Sequence, residues 1–257
     1  MSIDPIPSAA LDFAFEVEGL YSALLRSQGI SADADPSLGG KLLYASELSG
    51  RGRALLIAGN IAGAASLAAT ADPVAQKQAI REGVADFLVT SFDEAVRILK
   101  NEIRKRETVA VCIAAAPQAI ENEMRERGVR PDLAALEHRI PSVNLYKEIA
   151  DLEQVMWNVA ASPAQWLPRI DSLAIECFCR GSNLEAKATE RWLRLSPRYL
   201  GRLAQGFRVV RGPRDAAQQF VARVRGSIVQ GQIDIEVRIH LHEEMILLEP
   251  AKLKSSQ

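Results

Sequence analysis

The segment Ser46-Glu-Leu-Ser-Gly-Arg-Gly-Arg53 contains the residues whose types and spacing best suit ligand chemistry. It joins a short apolar run to a stretch of helical composition, and α/β proteins bind a pyrophosphate at such a helix N-terminus. Gly50 and Gly52 would let a phosphate approach the backbone, and the guanidinium of Arg53 could bind it directly. Glu47 would repel it. The segment therefore predicts a phosphate-binding turn with an incomplete glycine fingerprint.

Asp72 is a second candidate for the same site. It lies twenty residues after Gly52, where a dinucleotide-binding domain often holds the acid that binds the ribose. Asp72-Pro73 is also a strong helix start, with an N-cap acid and a proline in the first turn. The cap is the simpler interpretation, and the ribose role stays open. The candidate cofactor-binding set is Gly50, Gly52, Arg53 and Asp72.

Buried strands and amphipathic helices alternate around these residues. Such alternation favours an α/β fold, a Rossmann-like parallel sheet with helices on both faces. Ser91-Phe-Asp-Glu94 is a capping box, and Pro117 is placed to start a helix that stops near Gly128. The sequence predicts strands at residues 41–45, 66–71, 84–89 and 108–114, and helices at residues 8–28, 54–63, 73–83, 91–106 and 117–127.

The pattern changes after Pro141. Residues 143–204 have helical composition, with predicted breaks at Ser162-Pro163, Pro168, residues 181–183 and Ser196-Pro197. A strand at 207–211, a helix at 213–229 and a long or hairpinned strand at 233–248 follow. We therefore predict a Rossmann-like domain at residues 1–140, and a helical segment with a small α+β element at residues 141–257.

Two histidines alternate near the end of the chain. In Arg238-Ile-His-Leu-His-Glu-Glu244 a strand would place His240, His242 and Glu244 on one face, where they could bind a metal. Period-two polarity is also typical of a solvated strand face, which we favour, and we predict no metal site.

His138 beside Glu137 could act as a general base, but adjacent residues do not share a face, so we assign no catalytic residue.

The cysteines give little indication of the protein's function. Cys177-Phe-Cys179 lacks a matching second pair, so buried structural thiols are favoured over a metal site. Cys112 lies within an apolar strand, where a protonated thiol is a poor nucleophile.

Three cysteines fit a reducing compartment. The N-terminus lacks the pattern of a signal peptide, so we expect a cytoplasmic protein. Polar residues make residues 54–71 a poor membrane span.

A stretch from Arg191 to Arg225 has nine arginines, no lysine and one acid, Asp215, with Trp192 among its aromatics. Such a stretch could bind a nucleic acid or another anionic partner. The following residues Asp234, Glu236, Glu243, Glu244 and Glu249 would balance much of the charge within or between subunits, and the net charge of the chain is only -1. We therefore expect a protein interface, most simply a homo-oligomer such as a homodimer, and consider nucleic acid unlikely.

Several segments resemble one known family. Leu55-Leu-Ile-Ala-Gly59, Arg81-Glu-Gly-Val-Ala-Asp86, Ser91-Phe-Asp-Glu-Ala95 and Arg127-Gly-Val-Arg-Pro-Asp132 are similar, in order and spacing, to the Rossmann-like NAD-binding domain of urocanase. The resemblance covers residues 20–135. Urocanase is the hydratase of histidine breakdown and uses a tightly held NAD as an electrophile, so the resemblance implies an NAD-binding fold.

The chain departs from the family at the residues that carry its chemistry. The family turn resembles Gly-Leu-Gly-Gly-Met-Gly-Gly-Ala-Gln, whereas here only Gly50 and Gly52 remain between Glu47 and Arg53. The family segment of the type Gln-Thr-Ser-Ala-His, which follows the Pro-Asp pair, is replaced by residues 134–141. We therefore expect a urocanase-like pseudoenzyme that acts by ligand binding or assembly. The alternative is an NAD-dependent enzyme, related to urocanate hydratase, with a remodelled site. A nucleic-acid-binding module is a third possibility.

Overall fold

The computed structural model describes residues 6–27, 35–134, 152–241 and 244–250. Its first half alternates helices and strands. In chain order these are α1 (Ser8–Ser27), β1 (Leu42–Glu47), α2 (Gly50–Ala62), β2 (Ala65–Ala69), α3 (Pro73–Arg81), β3 (Phe87–Val89), α4 (Phe92–Lys105), β4 (Val109–Ile113), α5 (Pro117–Glu126) and β5 (Leu133–Ala134).

The five strands form one parallel sheet in the order β3-β4-β2-β1-β5. Alternate residues of β1 belong to two separate hydrophobic clusters. Leu43 and Ala45 pack with residues of α1 and α2 on one face, whereas Leu42 and Tyr44 pack with residues of α4 and α5 on the other. The predicted α/β fold with both faces of the sheet covered is confirmed.

Helix α2 lies in the interior. All its residues from position 54 to 62 are buried, because it packs against β1 and β2 on one side and against α1 on the other. Gly59 makes this possible: a Cβ there would overlap the side chain of Leu43 and lie 2.8 Å from Ser66 Oγ. The missing side chain at Gly59 therefore allows the close approach of α2 to the sheet.

The second half has its own sheet. Its elements are β6 (Leu152–Val159), α6 (Pro163–Phe178), α7 (Leu184–Tyr199), a 3₁₀ turn (Gly201–Ala204), β7 (Phe207–Pro213), α8 (Arg214–Val229), β8 (Val237–Leu241) and β9 (Glu244–Leu248). The strands are antiparallel in the order β7-β6-β8-β9. The predicted strand at residues 207–211, the helix at 213–229 and the hairpin near the end are confirmed.

The prediction that residues 143–204 are helical is wrong at β6, and residues 135–151 lie outside the described part of the chain. Leu, Glu, Gln and Met at the start of β6 favour helix in isolation. However, β6 pairs with β7 on one side and β8 on the other, and Trp157 is fully buried. Pairing on both edges overrides the local preference.

Two predicted helix breaks are also wrong. Pro168 lies inside α6, and Pro197 lies inside α7. Pro168 is only five residues after the first residue of its helix, and Pro197 is two residues before the last of its own, so the lost backbone bonds fall near helix ends. The other two predicted breaks are confirmed, since Pro163 begins α6 and residues 181–183 separate α6 from α7, which the side chain of Asn183 caps.

The two halves share one hydrophobic cluster, to which α1, α2, β6 and β7 all contribute. The guanidinium of Arg211 forms a buried ion pair with Glu18 and donates to the carbonyl of Phe15 at 3.1 Å. Burial lowers the pKa of Arg211 to about 10. The predicted boundary at residue 140 lies outside the described residues. Within those residues, no helix combines the length and apolarity that a membrane crossing needs.

Two helical glycines give a matched test of the α2 packing. We expect Gly59→Ala to lower the free energy of unfolding by about 1–3 kcal/mol, because the new methyl group has no room. A methyl group on Gly226, in α8, would extend into open space, so Gly226→Ala should raise stability by about 0.5–1 kcal/mol. Urea unfolding measures both. A stabilised Gly59→Ala variant would contradict the close approach of α2 to the sheet.

Candidate functional site

The turn between β1 and α2 is closed by the protein's own groups. The N–H of Leu48 donates to the carbonyl of Ala69 at 3.1 Å and to the carboxylate of Glu47 at 3.2 Å. Ser49 is the N-cap of α2, with no side-chain hydrogen bond to the helix. A carboxylate therefore lies where the chain turns into α2, and its charge opposes an anionic ligand there.

Gly52 and Gly50 serve different purposes in this turn. A Cβ on Gly52 would overlap the carbonyl oxygen of Glu47 and lie 2.9 Å from that of Ala45, so the strand itself requires glycine at this position. Gly50 has a φ of +48° with open space around it, so its backbone conformation is what favours glycine. Both glycines thus have a structural reason that involves no ligand.

Arg53 is directed towards the end of α3. Its guanidinium forms an ion pair with Glu82 and lies 5.3 Å above the ring of Phe13. A small cavity of about 150 Å³ adjoins it, with Tyr199 and Arg202 of the second half among its walls. In this position Arg53 links the parallel sheet's helices to the chain after α7, instead of pointing into the β1–α2 turn.

Asp72 caps α3. Its carboxylate accepts the N–H of Val74 at 2.9 Å, and Pro73 occupies the first helical position. The predicted N-cap is therefore confirmed. Of the four predicted cofactor residues, Gly50 and Gly52 share one helical turn, whereas the side chains of Arg53 and Asp72 are engaged by Glu82 and Val74. Their role as a cofactor site stays a prediction.

A polar cluster that the sequence did not indicate lies at the end of β1. Ser46 Oγ and the Tyr44 hydroxyl both donate to one oxygen of Glu121, at 3.2 and 3.3 Å. Ser46 has a φ of +58°, a strained conformation for serine. Burial, and then the charge of Glu121, raises the pKa of Tyr44 above its usual range. Ser46 and Glu121 are 75 positions apart, so no local sequence pattern predicts their contact.

A cavity of about 300 Å³ opens beside this cluster. Met124, Val129 and Pro131 supply apolar walls, and Arg125 and Arg130 supply positive charge. Its volume is at the lower end of the range for small-molecule sites. An apolar body with an anionic group is the kind of molecule that such walls suit.

Among the described residues, the other candidates from the sequence do not form a catalytic or metal-binding site. His138 and His242 lie outside the described residues. Burial, and then the charge of Arg238, lowers the pKa of His240. Across the described ranges, no group of three or more His, Cys, Asp or Glu side chains is arranged to hold a metal ion. Burial raises the pKa of Cys112 to about 11 and that of Cys179 to about 12, so these thiols are protonated at neutral pH.

The arginine-rich stretch is largely paired inside the molecule. The sequence led us to expect pairing, within or between subunits, with the acids that follow the stretch. Of these, Glu236 pairs with Arg238, which is not part of the stretch, and Glu243 lies outside the described residues. Arg191 donates to the carbonyl of Ile61 at 2.8 Å. The ion pairs of the stretch join Arg194 to Glu190, Arg208 to Asp171, Arg211 to Glu18, Arg214 to Glu153 and Arg223 to Glu176.

A parallel five-stranded sheet with helices on both faces, and a helix that starts three residues after the end of its first strand, defines a Rossmann-like domain. Residues 17–137 match the family model of the urocanase Rossmann-like domain. This part of the chain is therefore similar to the urocanase Rossmann-like domain, as the resemblance of the sequence segments implied.

A similar protein is the S-methyl thiourocanate hydratase of Variovorax sp. (strain JCM 16519 / RA8). The two are 30% identical over 97 residues, which is 38% of this chain and 18% of the hydratase. The chain thus matches about a fifth of that relative's length. The match to the family model ends at residue 137, before the first strand of the antiparallel sheet.

Two substitutions distinguish the role of Asp72 as a helix cap from the effect of its charge. We expect Asp72→Ala to lower the free energy of unfolding by about 1 kcal/mol, because the N–H of Val74 loses its acceptor. Asn is as good an N-cap as Asp, so Asp72→Asn should retain most of the stability. Urea unfolding at neutral pH compares the two variants. Equal losses in both would contradict the cap and indicate a role for the charge itself.

Proposed function

We propose that this protein is a urocanase-like protein without hydratase activity, which acts by ligand binding or assembly. The observation that carries the proposal is the closed turn between β1 and α2. The carboxylate of Glu47 lies at the start of this turn, and the carbonyl oxygen of Glu47 occupies the space beside Gly52. A pyrophosphate needs bare backbone amides at that position.

The residues at the turn do not fit a dinucleotide in their present arrangement. Glu47 would repel the pyrophosphate, Arg53 is held by Glu82, and the carboxylate of Asp72 accepts the N–H of Val74. For NAD to bind there, the ion pair of Arg53 would have to break and Glu47 would have to move. We therefore derive no catalytic step through NAD.

The ion pairs of the second half argue against nucleic-acid binding. Its antiparallel sheet is fixed to α1 by the buried Arg211–Glu18 pair, so it is part of one core with the Rossmann-like domain. Because most of the arginine stretch is engaged in ion pairs, a nucleic-acid-binding role is disfavoured: phosphate groups would have to displace five carboxylates.

The alternative is an NAD-dependent enzyme with a remodelled site, and one observation favours it. The cavity beside Tyr44 and Glu121 has apolar walls, two arginines and a strained serine close by. Strained residues cluster at functional sites. A small anionic substrate bound there would lie beside Tyr44 and Glu121, and Glu121 accepts a hydrogen bond from the strained Ser46.

Cofactor titration separates the two proposals. We expect about 1 mM NAD to leave the melting temperature unchanged and the purified protein not to consume urocanate. If NAD bound with a dissociation constant near 10 µM, the folded state would gain about 2.7 kcal/mol, which would raise the melting temperature by several degrees. Native mass spectrometry of protein isolated without denaturation would show any cofactor that stays bound.

Two variants serve as controls for a positive result. If NAD does shift the melting temperature, the alternative predicts that Asp72→Ala abolishes the shift. Asp215→Ala, at the exposed start of α8, should leave it intact. A shift in the wild type that survives in Asp215→Ala and is lost in Asp72→Ala would overturn our proposal. So would turnover of urocanate.

A further inference from the structure

Among the described residues, β9 is the outermost strand of the antiparallel sheet, and it exposes apolar side chains to solvent. Met245 is 56% exposed and Leu247 is 45% exposed, and both point to the same face. Glu244 is the one charged residue of the strand, and it contains no proline. Natural sheets usually protect a free edge with lysine, proline or a bulge. This edge has none of these in its five residues.

The sequence of β9 is complementary to a second copy of itself. An antiparallel pair centred on Ile246 places Met245 opposite Leu247 of the other copy, and Glu244 opposite Leu248. The two Glu244 carboxylates then lie at opposite ends of the pair and do not face each other. A two-fold axis makes the reciprocal contacts identical, as in an isologous dimer.

The same register continues the core of the sheet. Trp157 pairs with Ile239, and Ile239 pairs with Ile246, all on the face that packs against Phe220 and its neighbours in α8. In the dimer, Ile246 would face Ile246 of the second copy, so this apolar row would run without interruption across the axis. On the opposite face, Met245 and Leu247 of both copies would form one apolar patch.

We propose that β9 pairs antiparallel with β9 of a second copy of this chain, in the register centred on Ile246, to form one eight-stranded sheet. Every second residue of an edge strand directs its N–H and C=O away from its neighbour, and the second copy would satisfy them. The inference rests on the proposed assembly role. It replaces the arginine-rich stretch, most of which is paired internally, as the expected dimer surface.

Lysine substitutions at Met245 and Leu247 test whether the β9 surface forms the dimer interface. Wild-type protein should be a dimer by native mass spectrometry and by light scattering. Met245→Lys with Leu247→Lys should raise the dimer dissociation constant roughly tenfold or more, because four ammonium groups would meet across the axis. Both positions are exposed, so the melting temperature of the isolated monomer should stay close to that of the wild-type monomer.

The matched control lies at the free edge of the other sheet. Phe87 and Leu88 of β3 are 47% and 41% exposed. Phe87→Lys with Leu88→Lys should leave the dimer intact. A monomeric wild type, or a dimer that the β3 variant disrupts and the β9 variant does not, would overturn the proposal.

A cross-link tests the register. Across an antiparallel pair the Cα atoms are about 4.5–5.5 Å apart, within the range that a disulfide spans. Ile246→Cys should therefore give a covalent dimer under mild oxidation. Met245→Cys should not, because its own copy lies diagonally at about 7–8 Å. Wild-type protein is the background, with Cys112 and Cys177 buried. Cross-linking of Met245→Cys but not of Ile246→Cys would refute the register.

The dimer test and the catalytic test are independent. A monomeric protein that neither binds NAD nor consumes urocanate would overturn the β9 interface and leave the absence of hydratase activity standing. A dimer that consumes urocanate would do the reverse.

Discussion

The burial of α2 is the constraint on which the rest of the fold depends. This helix has the sheet on one side and α1 on the other, so neither face can accept a larger residue. Gly59 lies against Leu43 and Ser66, and the small strand residues Ala45 and Ala68 belong to the same buried cluster as α2. Because interiors pack at the density of crystals, α2 cannot move outward without opening a void against the sheet and clashing with α1.

The position of α2 also determines the turn that precedes it. With the helix held close to β1, the chain has only two residues, Leu48 and Ser49, between the strand and the first residue of α2. The carbonyl of Glu47 then comes so near to Gly52 that only glycine fits. The glycines that survive in this sequence are therefore explained by the packing of the turn. A glycine fingerprint read from sequence alone cannot separate this cause from ligand binding.

The sequence predicted the parallel half well because its signals are local. Asp72 and Ser91 are helix caps whose side chains accept the expected amides, and buried apolar runs marked the central strands. The sequence-based prediction failed where contacts between residues distant in the chain determine the structure. β6 has helix-forming residues but pairs on both edges, and the cluster of Tyr44, Ser46 and Glu121 joins distant positions that no periodicity connects.

The arginine-rich stretch shows how a charge pattern in sequence differs from a charge pattern on a surface. Arg211 and Arg208 are drawn into the core by Glu18 and Asp171, which lie 193 and 37 residues away along the chain. Arginine suits this role because its planar group forms several hydrogen bonds at once and stays charged when buried. Within the described residues, the carboxylate partners of the arginine-rich stretch are Glu18, Glu153, Asp171, Glu176 and Glu190, all of which precede the stretch in the chain. The stretch that looked like a partner surface thus fixes the two halves of the molecule to each other.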